Sequence, residues 1–296
     1  MTNPKISIII VTSQRYNDLE RLLISIREQQ YVDLEIIVVC MEIDEKLSEL
    51  AIKYSADLYE DSGKGICYAR NLGFSKSKGE IIVYFDDDVT LPTNYLVIVE
   101  KYLDIPGVSG FGGNPIIVDE NGIPKKRGLI TKIIDKIIWK ISQVDMGTVY
   151  TESPIFVDAL WGSNMAFKRK AIMDTGKFDE SFYHPNLGEE TDFTLRVTQR
   201  GHRLVFDPNI CVLHFTNFTN RGLKRGQYEK LLFGMGDNAS YWRVKNQRCG
   251  NLWLVYQIFV GLSWSIKTRN PRCLPSLFRG IRRGRYRGRK ALNASV

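Results

Sequence analysis

The sequence predicts an α/β protein with a mostly parallel central sheet, flanking helices and a C-terminal helical segment. Three short apolar runs rich in β-branched residues recur in the first third of the chain: Ile6–Val11, Leu34–Val39 and Ile81–Phe85. Each run is too short for a helix and suits a strand that is buried on both faces. Helical patterns separate the runs, and this alternation implies parallel strands joined by right-handed crossovers.

The helices between these strands are predicted from the spacing of their apolar residues. In the first, Leu19, Leu22 and Ile26 repeat at helical intervals. Asn17 or Asp18 can cap its first turn. The predicted helices of this part of the chain are Asn17–Gln30, Glu45–Tyr54, Ile66–Lys76 and Asn94–Leu103.

Beyond the fourth helix the pattern is less regular. A glycine-rich stretch, Gly107–Asn114, comes next, and Asn121-Gly122 is typical of a hairpin turn. The elements expected further on are a strand over Trp161–Phe167, a helix from about Lys168, a helix over Glu189–Arg200 and a strand over Arg203–Phe206.

The composition is that of a folded protein, with 296 residues of which 44% are apolar and 25% charged. The net charge of +8 comes from ten lysines and arginines in Lys267–Lys290, so the remainder of the chain sums to about −2. Five cysteines without a Cys-x-x-Cys pair argue against a disulfide framework or a zinc knuckle and fit a reducing cytoplasm. Because the first apolar run has no basic flank and no cleavage site, we expect no signal peptide.

Three consecutive acids, Asp86, Asp87 and Asp88, follow the third apolar run directly. Ligands of parallel sheets gather at the carboxyl ends of the strands, which is where these acids lie. A divalent cation relieves the repulsion between such carboxylates, and oxygen ligands favour Mg²⁺ or Mn²⁺, which can bridge a diphosphate. The alternative is a solvated acidic turn that caps the next helix.

A second group of acids, Glu189, Glu190 and Asp192, begins a predicted helix after Gly188. Acids at a helix start are common because they complement the helix dipole, and this is the structural alternative. Together with the aspartate run, however, they provide one group to hold a metal and another to take a proton from a hydroxyl. A single-displacement transfer requires both.

Six motifs in order resemble the family 2 glycosyltransferases of the GT-A fold, over about residues 4 to 215. They are Ser7–Thr12, Tyr68–Gly73, the pair Asp86 and Asp88, Trp161–Met165, Gly176–Glu180 and Gly188–Asp192. The resemblance implies a Rossmann-like nucleotide-sugar domain. It also implies an inverting transfer from a UDP-, GDP- or dTDP-sugar, with a metal that grips the diphosphate.

The resemblance also implies site residues. The donor would contact Val11, Thr12, Arg15, Glu42, Gly65, Arg70, Asp86, Asp87, Trp161, Gly162 and Asn164. The cofactor, Mn²⁺ or Mg²⁺, would be held by Asp86, Asp88 and His214. The general base would be Glu190, with Glu189 and Asp192 as the other catalytic acids. For His214 the alternative is a structural role, and for Trp161 it is a place in the core.

One departure from the family concerns the end of the second strand. Relatives usually carry an aspartate there for the nucleobase, whereas this chain has Cys40-Met41-Glu42. Glu42 or Asp44 would substitute, and uracil, guanine and thymine all stay open as the base.

The C-terminal part predicts association with a membrane surface. Leu252–Ile266 is apolar and aromatic, but at fifteen residues it is shorter than the roughly twenty that a span needs. It suits an interfacial helix followed by basic residues that face anionic headgroups. The alternative is a core helix followed by a disordered basic tail. We therefore predict a transferase domain at residues 1–220 and a helical, basic region at 221–296, peripheral on the cytoplasmic face of the membrane.

The expected acceptor is a glycan or a lipid-linked sugar in cell-surface polysaccharide, glycolipid or glycoprotein assembly. Two other functions fit the sequence less well than this one. A sugar nucleotidyltransferase lacks its Gly-rich, Lys/Arg-bearing loop after the first strand. A nucleic-acid-binding protein would use the tail Arg279–Lys290, but the body of the chain has no basic excess, so no nucleic acid is expected.

Overall fold

The computed structural model describes residues 4–125, 151–182, 187–215, 225–248 and 251–294. The chain divides into two compact units. The first consists of Met1–Lys125, Met146–Phe178 and Phe193–Asn217, and the second of Lys126–Asp145, Asp179–Asp192 and Phe218–Val296. The region predicted from residue 221 onward thus belongs to the second unit, which also takes in Asp179–Asp192.

The elements up to His214 alternate between strands and helices, as the apolar runs predict. They are β1 Ile6–Thr12, α1 Tyr16–Arg27, β2 Leu34–Cys40, α2 Glu45–Lys53, β3 Ala56–Glu60, α3 Ile66–Lys76, β4 Ile81–Asp86, β5 Val89–Thr90, α4 Tyr95–Asp104, β6 Val108–Ile117, β7 Ile155–Val157, β8 Asn164–Lys168, α5 Arg169–Thr175, α6 Glu189–Gln199 and β9 Arg203–His214.

The described strands form one nine-stranded sheet in the order β3-β2-β1-β4-β8-β6-β9-β5, with β7 paired to β9. The strands β3, β2, β1 and β4 are parallel. Beyond β4 the sheet is mixed, because β8 runs antiparallel to both β4 and β6 while β6 and β9 are parallel. The α/β class and the central sheet are confirmed, and the parallel arrangement describes the N-terminal half of that sheet.

Strand β1 lies at the centre of the parallel half and is buried on both faces. Ile6, Ile8, Ile9 and Ile10 are all fully buried, as expected of a parallel strand covered by helices. Helix α3 approaches this strand closely at Gly73, where a Cβ atom would lie 2.4 Å from Cγ2 of Ile9. The close packing fixes α3 above the carboxyl half of the sheet.

The strands that differ from the sequence-based expectation include β3, β6 and β9. The glycine-rich stretch at 107–114 lies largely within β6, and β9 continues beyond the predicted Phe206 to His214. Strand β3 was not predicted, because Ala56–Glu60 alternates half-buried and exposed residues and lacks an apolar run. In β6, glycine is needed for packing, since a Cβ atom at Gly110 would lie 2.5 Å from Cδ2 of Leu204.

The described C-terminal part of the second unit is helical: α7 Arg225–Lys245, α8 Asn251–Lys267 and α9 Cys273–Ala294. Gly280, Gly284 and Gly288 recur every fourth residue on α9 and are buried against α7. The basic tail is therefore a packed helix, and the alternative of a disordered tail is wrong. No described helix is both long enough and apolar enough to cross a bilayer.

The glycine stripe of α9 leads to a stability prediction. A Cβ atom at Gly284 would lie 2.0 Å from the carbonyl oxygen of Asp237, so Gly284→Ala forces α7 and α9 apart. We expect the free energy of unfolding to fall by about 1–3 kcal/mol, despite the better helix propensity of alanine. Urea unfolding followed by circular dichroism measures this.

The matched control is Gly226→Ala on α7, where a Cβ atom meets nothing within 4 Å. It should be neutral or slightly stabilising. Equal effects of the two substitutions would contradict the close approach of the two helices.

Candidate active site

The aspartate run lies where the structure turns from β4 into β5. Asp86 is the last residue of β4, and Val89 of β5 pairs with His214 of β9. The backbone N–H of Phe215 also donates to the carbonyl oxygen of Asp88, at 2.8 Å. This pairing brings His214 next to the aspartates, so that one ligand atom from each of Asp86, Asp88 and His214 lies within 4.8 Å of the others.

The carboxylate of Asp88 is held from two sides. Its Oδ2 accepts a hydrogen bond from Nη1 of Arg15 at 2.7 Å. Its Oδ1 lies 3.0 Å from Nε2 of His214, yet the atom is buried and receives no hydrogen bond of good geometry from the described residues. Burial alone would raise the pKa of Asp88, but His214 and Arg15 outweigh it and hold that pKa below its usual value.

The cluster fits a divalent cation. Burial lowers the pKa of His214, but the adjacent Asp88 more than offsets this, so the pKa of the imidazole is raised above its usual value. The unsatisfied Oδ1 of Asp88 and the nearby oxygen of Asp86 are ligands of the kind that Mg²⁺ and Mn²⁺ take. The histidine nitrogen would be the third ligand that these residues offer.

Asp87 has a different environment from its neighbours. The side chain is fully buried and accepts a hydrogen bond from Oγ1 of Thr12 at 2.6 Å. Arg15 forms an ion pair with the same carboxylate. Burial raises the pKa of Asp87 to about 6, against the opposite effect of the Arg15 charge. The side chains of Asp87 and Thr12 thus bond to each other and join the end of β1 to that of β4, and their contact with the donor stays a prediction.

Helix α3 begins at the same edge of the sheet. Gly65 caps it with φ +97°, and a Cβ atom there would meet nothing within 4 Å. Helix N-termini attract anions because their first N–H groups lack partners within the helix. Arg70, on the second turn, is buried and donates from Nη2 to Oδ1 of Asp86 at 3.3 Å. A guanidinium and a helix N-terminus thus accompany the acidic cluster.

The ends of β1, β2 and β3 carry the remaining residues predicted to bind the nucleotide. Val11 is half-buried and Glu42 is exposed. Asp44, the other candidate for the base, caps α2 by accepting a hydrogen bond from the backbone N–H of Leu47 at 2.8 Å. Sequence reasoning missed Asp61, which follows β3 and is buried. Burial raises the pKa of this carboxyl group.

The motif that begins at Trp161 divides into exposed and buried residues. Trp161 is 39% exposed, and Gly162 is half-buried beside it. Asn164 is fully buried, and its side-chain amide bonds to both backbone groups of Gly113, at 2.7 Å and 3.2 Å. Asn164 therefore joins β8 to β6, and its contact with the donor stays a prediction.

The second acidic group opens helix α6. Glu190 is half-buried, whereas Glu189 is buried and Asp192 is fully buried. Oδ2 of Asp192 lies 3.0 Å from Nζ of Lys245, and Oδ1 accepts a hydrogen bond from Nδ2 of Asn246 at 2.8 Å. Glu190 is therefore the most accessible of the three acids, and the choice of the base among them stays a prediction.

The sheet order and the carboxylate–histidine cluster at the strand ends define a sugar transferase of the GT-A fold. The sequence profile described as Glycosyl transferase family 2 matches residues 7–176, more than half of the chain. The chain belongs to this family, and it is a glycosyltransferase.

Two characterised proteins resemble the chain at low identity. A glucosyl-dolichyl phosphate glucuronosyltransferase of Haloferax volcanii is 22% identical over 224 residues, which is 71% of this chain and 69% of that protein. A GalNAc(5)-diNAcBac-PP-undecaprenol beta-1,3-glucosyltransferase of Campylobacter jejuni is 24% identical over 215 residues, 68% of this chain and 65% of that protein.

Among solved structures, the mannosyltransferase PcManGT of Pyrobaculum calidifontis, in complex with GDP-Man and Mn²⁺, has the same fold. It superposes with a TM-score of 0.58 at 18% identity, over 95% of this chain and 74% of that one.

Proposed function

We propose that this glycosyltransferase moves a sugar from a nucleoside-diphosphate sugar to a hydroxyl group of a lipid-linked acceptor, in one inverting displacement that depends on a divalent cation. The observation that carries the proposal is the cluster of Asp86, Asp88 and His214 at the carboxyl edge of the sheet. The GDP-Man and Mn²⁺ in the related PcManGT structure support it.

Asp86, Asp88 and His214 would hold the cation. When bound, the cation offsets the negative charge that develops on the departing nucleoside diphosphate. We favour Mn²⁺ over Mg²⁺, because an imidazole nitrogen suits manganese better than the oxygen-seeking magnesium. Arg15 holds Asp88 in place through its ion pair, and Arg70 does the same for Asp86.

Glu190 would accept the proton of the acceptor hydroxyl as the oxygen attacks the anomeric carbon. The C–O bond to the diphosphate breaks as the new bond forms on the opposite face, so the configuration inverts and no covalent enzyme intermediate arises. The exposure of Glu190, compared with the buried Glu189 and Asp192, supports this assignment.

The acceptor class is suggested by the relatives and by the second unit. The names of both characterised relatives describe lipid-linked sugars, one on dolichyl phosphate and one on undecaprenyl diphosphate.

Helix α8 exposes one apolar face at helical spacing: Val255, Ile258, Phe259, Leu262 and Ile266. Helix α9 exposes Arg279, Arg282, Arg283, Arg289 and Lys290. Shallow apolar insertion combined with attraction to anionic headgroups supports our proposal that the enzyme is peripheral on the cytoplasmic face of a membrane.

Membrane binding is tested by co-sedimentation with vesicles of phosphatidylglycerol and phosphatidylcholine. We expect binding to anionic vesicles at low salt, and weaker binding at high salt because charges are screened over about 8–10 Å at physiological ionic strength. Ile266→Glu, on the exposed face of α8, should reduce binding at least ~10-fold through loss of apolar insertion.

The matched control is Ile52→Glu on α2, because Ile52 is 81% exposed and Ile266 is 77% exposed. Equal loss in both variants, or no binding of the full chain to anionic vesicles, would contradict membrane association.

The transfer itself is tested with a panel of UDP-, GDP- and dTDP-sugars. We expect hydrolysis of the sugars of one nucleotide class in the presence of Mn²⁺. The enzyme should also be active when an undecaprenyl-linked acceptor takes the place of water. Absence of hydrolysis across the panel and across Mn²⁺ and Mg²⁺ would count against the proposed donor class.

A further inference from the structure

One lysine connects both ends of the segment that carries Glu190. Nζ of Lys245, on the last turn of α7, lies 2.6 Å from Oδ2 of Asp179 and 3.0 Å from Oδ2 of Asp192. Asp179 begins the stretch of chain that leads into the first turn of α6 in the second unit, and Asp192 ends it. A single cation therefore bridges the two carboxylates between which Glu190 lies in the sequence.

Further contacts hold the same two carboxylates to α7. The hydroxyl of Tyr241 donates to Oδ2 of Asp179 at 2.5 Å. Asn246 donates from Nδ2 both to Asp192, at 2.8 Å, and to the carbonyl oxygen of Trp242, at 2.9 Å. The last turn of α7 and the residue that follows it thus form one polar surface that matches both aspartates.

The backbone before α6 also packs closely on α7. Gly188 has φ +88°, and a Cβ atom there would lie 2.6 Å from Nε1 of Trp242. Asp192 donates its N–H to the carbonyl oxygen of Gly188 at 2.9 Å, which closes the first turn of α6. The start of this helix is therefore fixed against α7 by packing as well as by charge.

The rotation of α6 about its axis decides which acid is available for chemistry. Successive residues of an α-helix are about 100° apart, so Glu190 lies about 160° from Asp192 around the axis. Because Lys245 and Asn246 hold Asp192 towards α7, Glu190 is directed away from α7, in keeping with its partial exposure.

We propose that Lys245 is a positioning residue that orients the general base Glu190 through Asp192 and Asp179. This inference rests on the proposed function, in which Glu190 is the base. Lys245 itself touches neither donor nor acceptor in this role. It neutralises two carboxylates that would otherwise repel each other and loosen the first turn of α6.

The ionisation of Asp179 is consistent with this role. Burial would raise the pKa of Asp179, but the charge and hydrogen bond of Lys245, together with the hydrogen bond from Tyr241, hold it well below its usual value. Asp179 therefore stays charged, and the bridge stays formed, throughout the neutral range in which transfer is measured.

The test compares Lys245→Met with Lys245→Arg in the full-length protein. The probe is Mn²⁺-dependent hydrolysis of whichever of UDP-glucose, GDP-mannose or dTDP-glucose is turned over fastest. We expect Lys245→Met to lower kcat roughly 10- to 100-fold while KM for the nucleotide sugar stays within about twofold. Lys245→Arg keeps a charge at the bridge and should recover a large share of kcat. Lys230→Met, at an exposed position on the same helix, is the matched control and should match the wild type.

A double-mutant cycle separates orientation from general stability. If Lys245 acts through Glu190, adding Lys245→Met to the Glu190→Gln variant should lower its activity only slightly further. Three results would each overturn the proposal. They are losses that multiply in the double variant, a KM that rises while kcat falls, and a Lys245→Met protein as active as the wild type. If Lys245→Met fails to fold, Asp192→Asn keeps the shape and breaks the bridge. A normal kcat in that variant would equally overturn the proposal, and a lowered kcat with unchanged KM would support it.

The outcome for Glu190→Gln alone distinguishes a failure of the base assignment from a failure of the positioning role. Full activity in that single variant would refute the base assignment itself. Loss in Glu190→Gln together with wild-type activity in Lys245→Met would refute only the positioning role.

Discussion

Replacing Asp88 by alanine is expected to abolish turnover of the donor, with a loss of at least ~10³-fold in kcat/KM. Asp88 supplies the buried Oδ1 that faces His214 and also fixes Arg15, so its removal takes away a proposed cation ligand and leaves that guanidinium without one of its partners. Isothermal titration of Mn²⁺ should give measurable binding to the wild type and none to the variant. Excess EDTA should stop the wild-type enzyme, and addition of Mn²⁺ should restore it.

The control is Asp57→Ala, an exposed aspartate on β3 of the same sheet, which should keep wild-type activity and metal affinity. A melting temperature close to that of the wild type would show that Asp88→Ala retains the fold. Full activity in excess EDTA would contradict the predicted metal requirement.

The second large effect is expected for Glu190→Gln, which keeps the shape of the side chain but removes the proton acceptor. We expect kcat to fall by roughly 10² or more, because a positioned base typically contributes 10²–10⁴-fold. The affinity for UDP, GDP or dTDP with Mn²⁺, measured by calorimetry, should stay nearly unchanged, since the proposed role of the residue is to deprotonate the acceptor.

Glu189→Gln is the matched comparison, since it makes the same chemical change one residue earlier. Glu189 is buried, so this variant should lose less in kcat and more in stability than Glu190→Gln. If Glu189→Gln is the more damaging to kcat at equal stability, the roles of the two glutamates are reversed.

The N-terminal half of the fold was predictable because its signals are local. The predicted helix Ile66–Lys76 has the bounds of α3, and the three apolar runs are the cores of β1, β2 and β4. Strand β5, in contrast, has only two residues and exists because β9 pairs with it. The glycines of β6 resembled a loop, since the Leu204 and Phe167 side chains that require them come from distant parts of the chain.

The candidate site shows the same division. The motifs predicted Asp86, Asp88 and Glu190, because a short run of acids after a strand or before a helix can be recognised from the sequence alone. The resemblance also predicted His214 as a partner of Asp88, but the ion pairs of the aspartates with arginine were not predicted. Arg15 was expected to meet the nucleotide, and its ion pairs with Asp87 and Asp88 depend on the pairing of β1 with β4. Lys245 carries no motif at all, because its role arises only where α7 meets two aspartates from another part of the chain.

The pairing of β5 with β9 also constrains when the enzyme can mature during synthesis. Asp86 and Asp88 leave the ribosome early, but His214 stands at the end of the last strand, and two residues of β5 hold the two regions together. A nascent chain that ends before β9 has the acids without the imidazole and without the strand that covers β6. The complete set of cation ligands that we propose therefore forms only after β9 has been synthesised, and before that the charge of the aspartates is offset by Arg15 and Arg70.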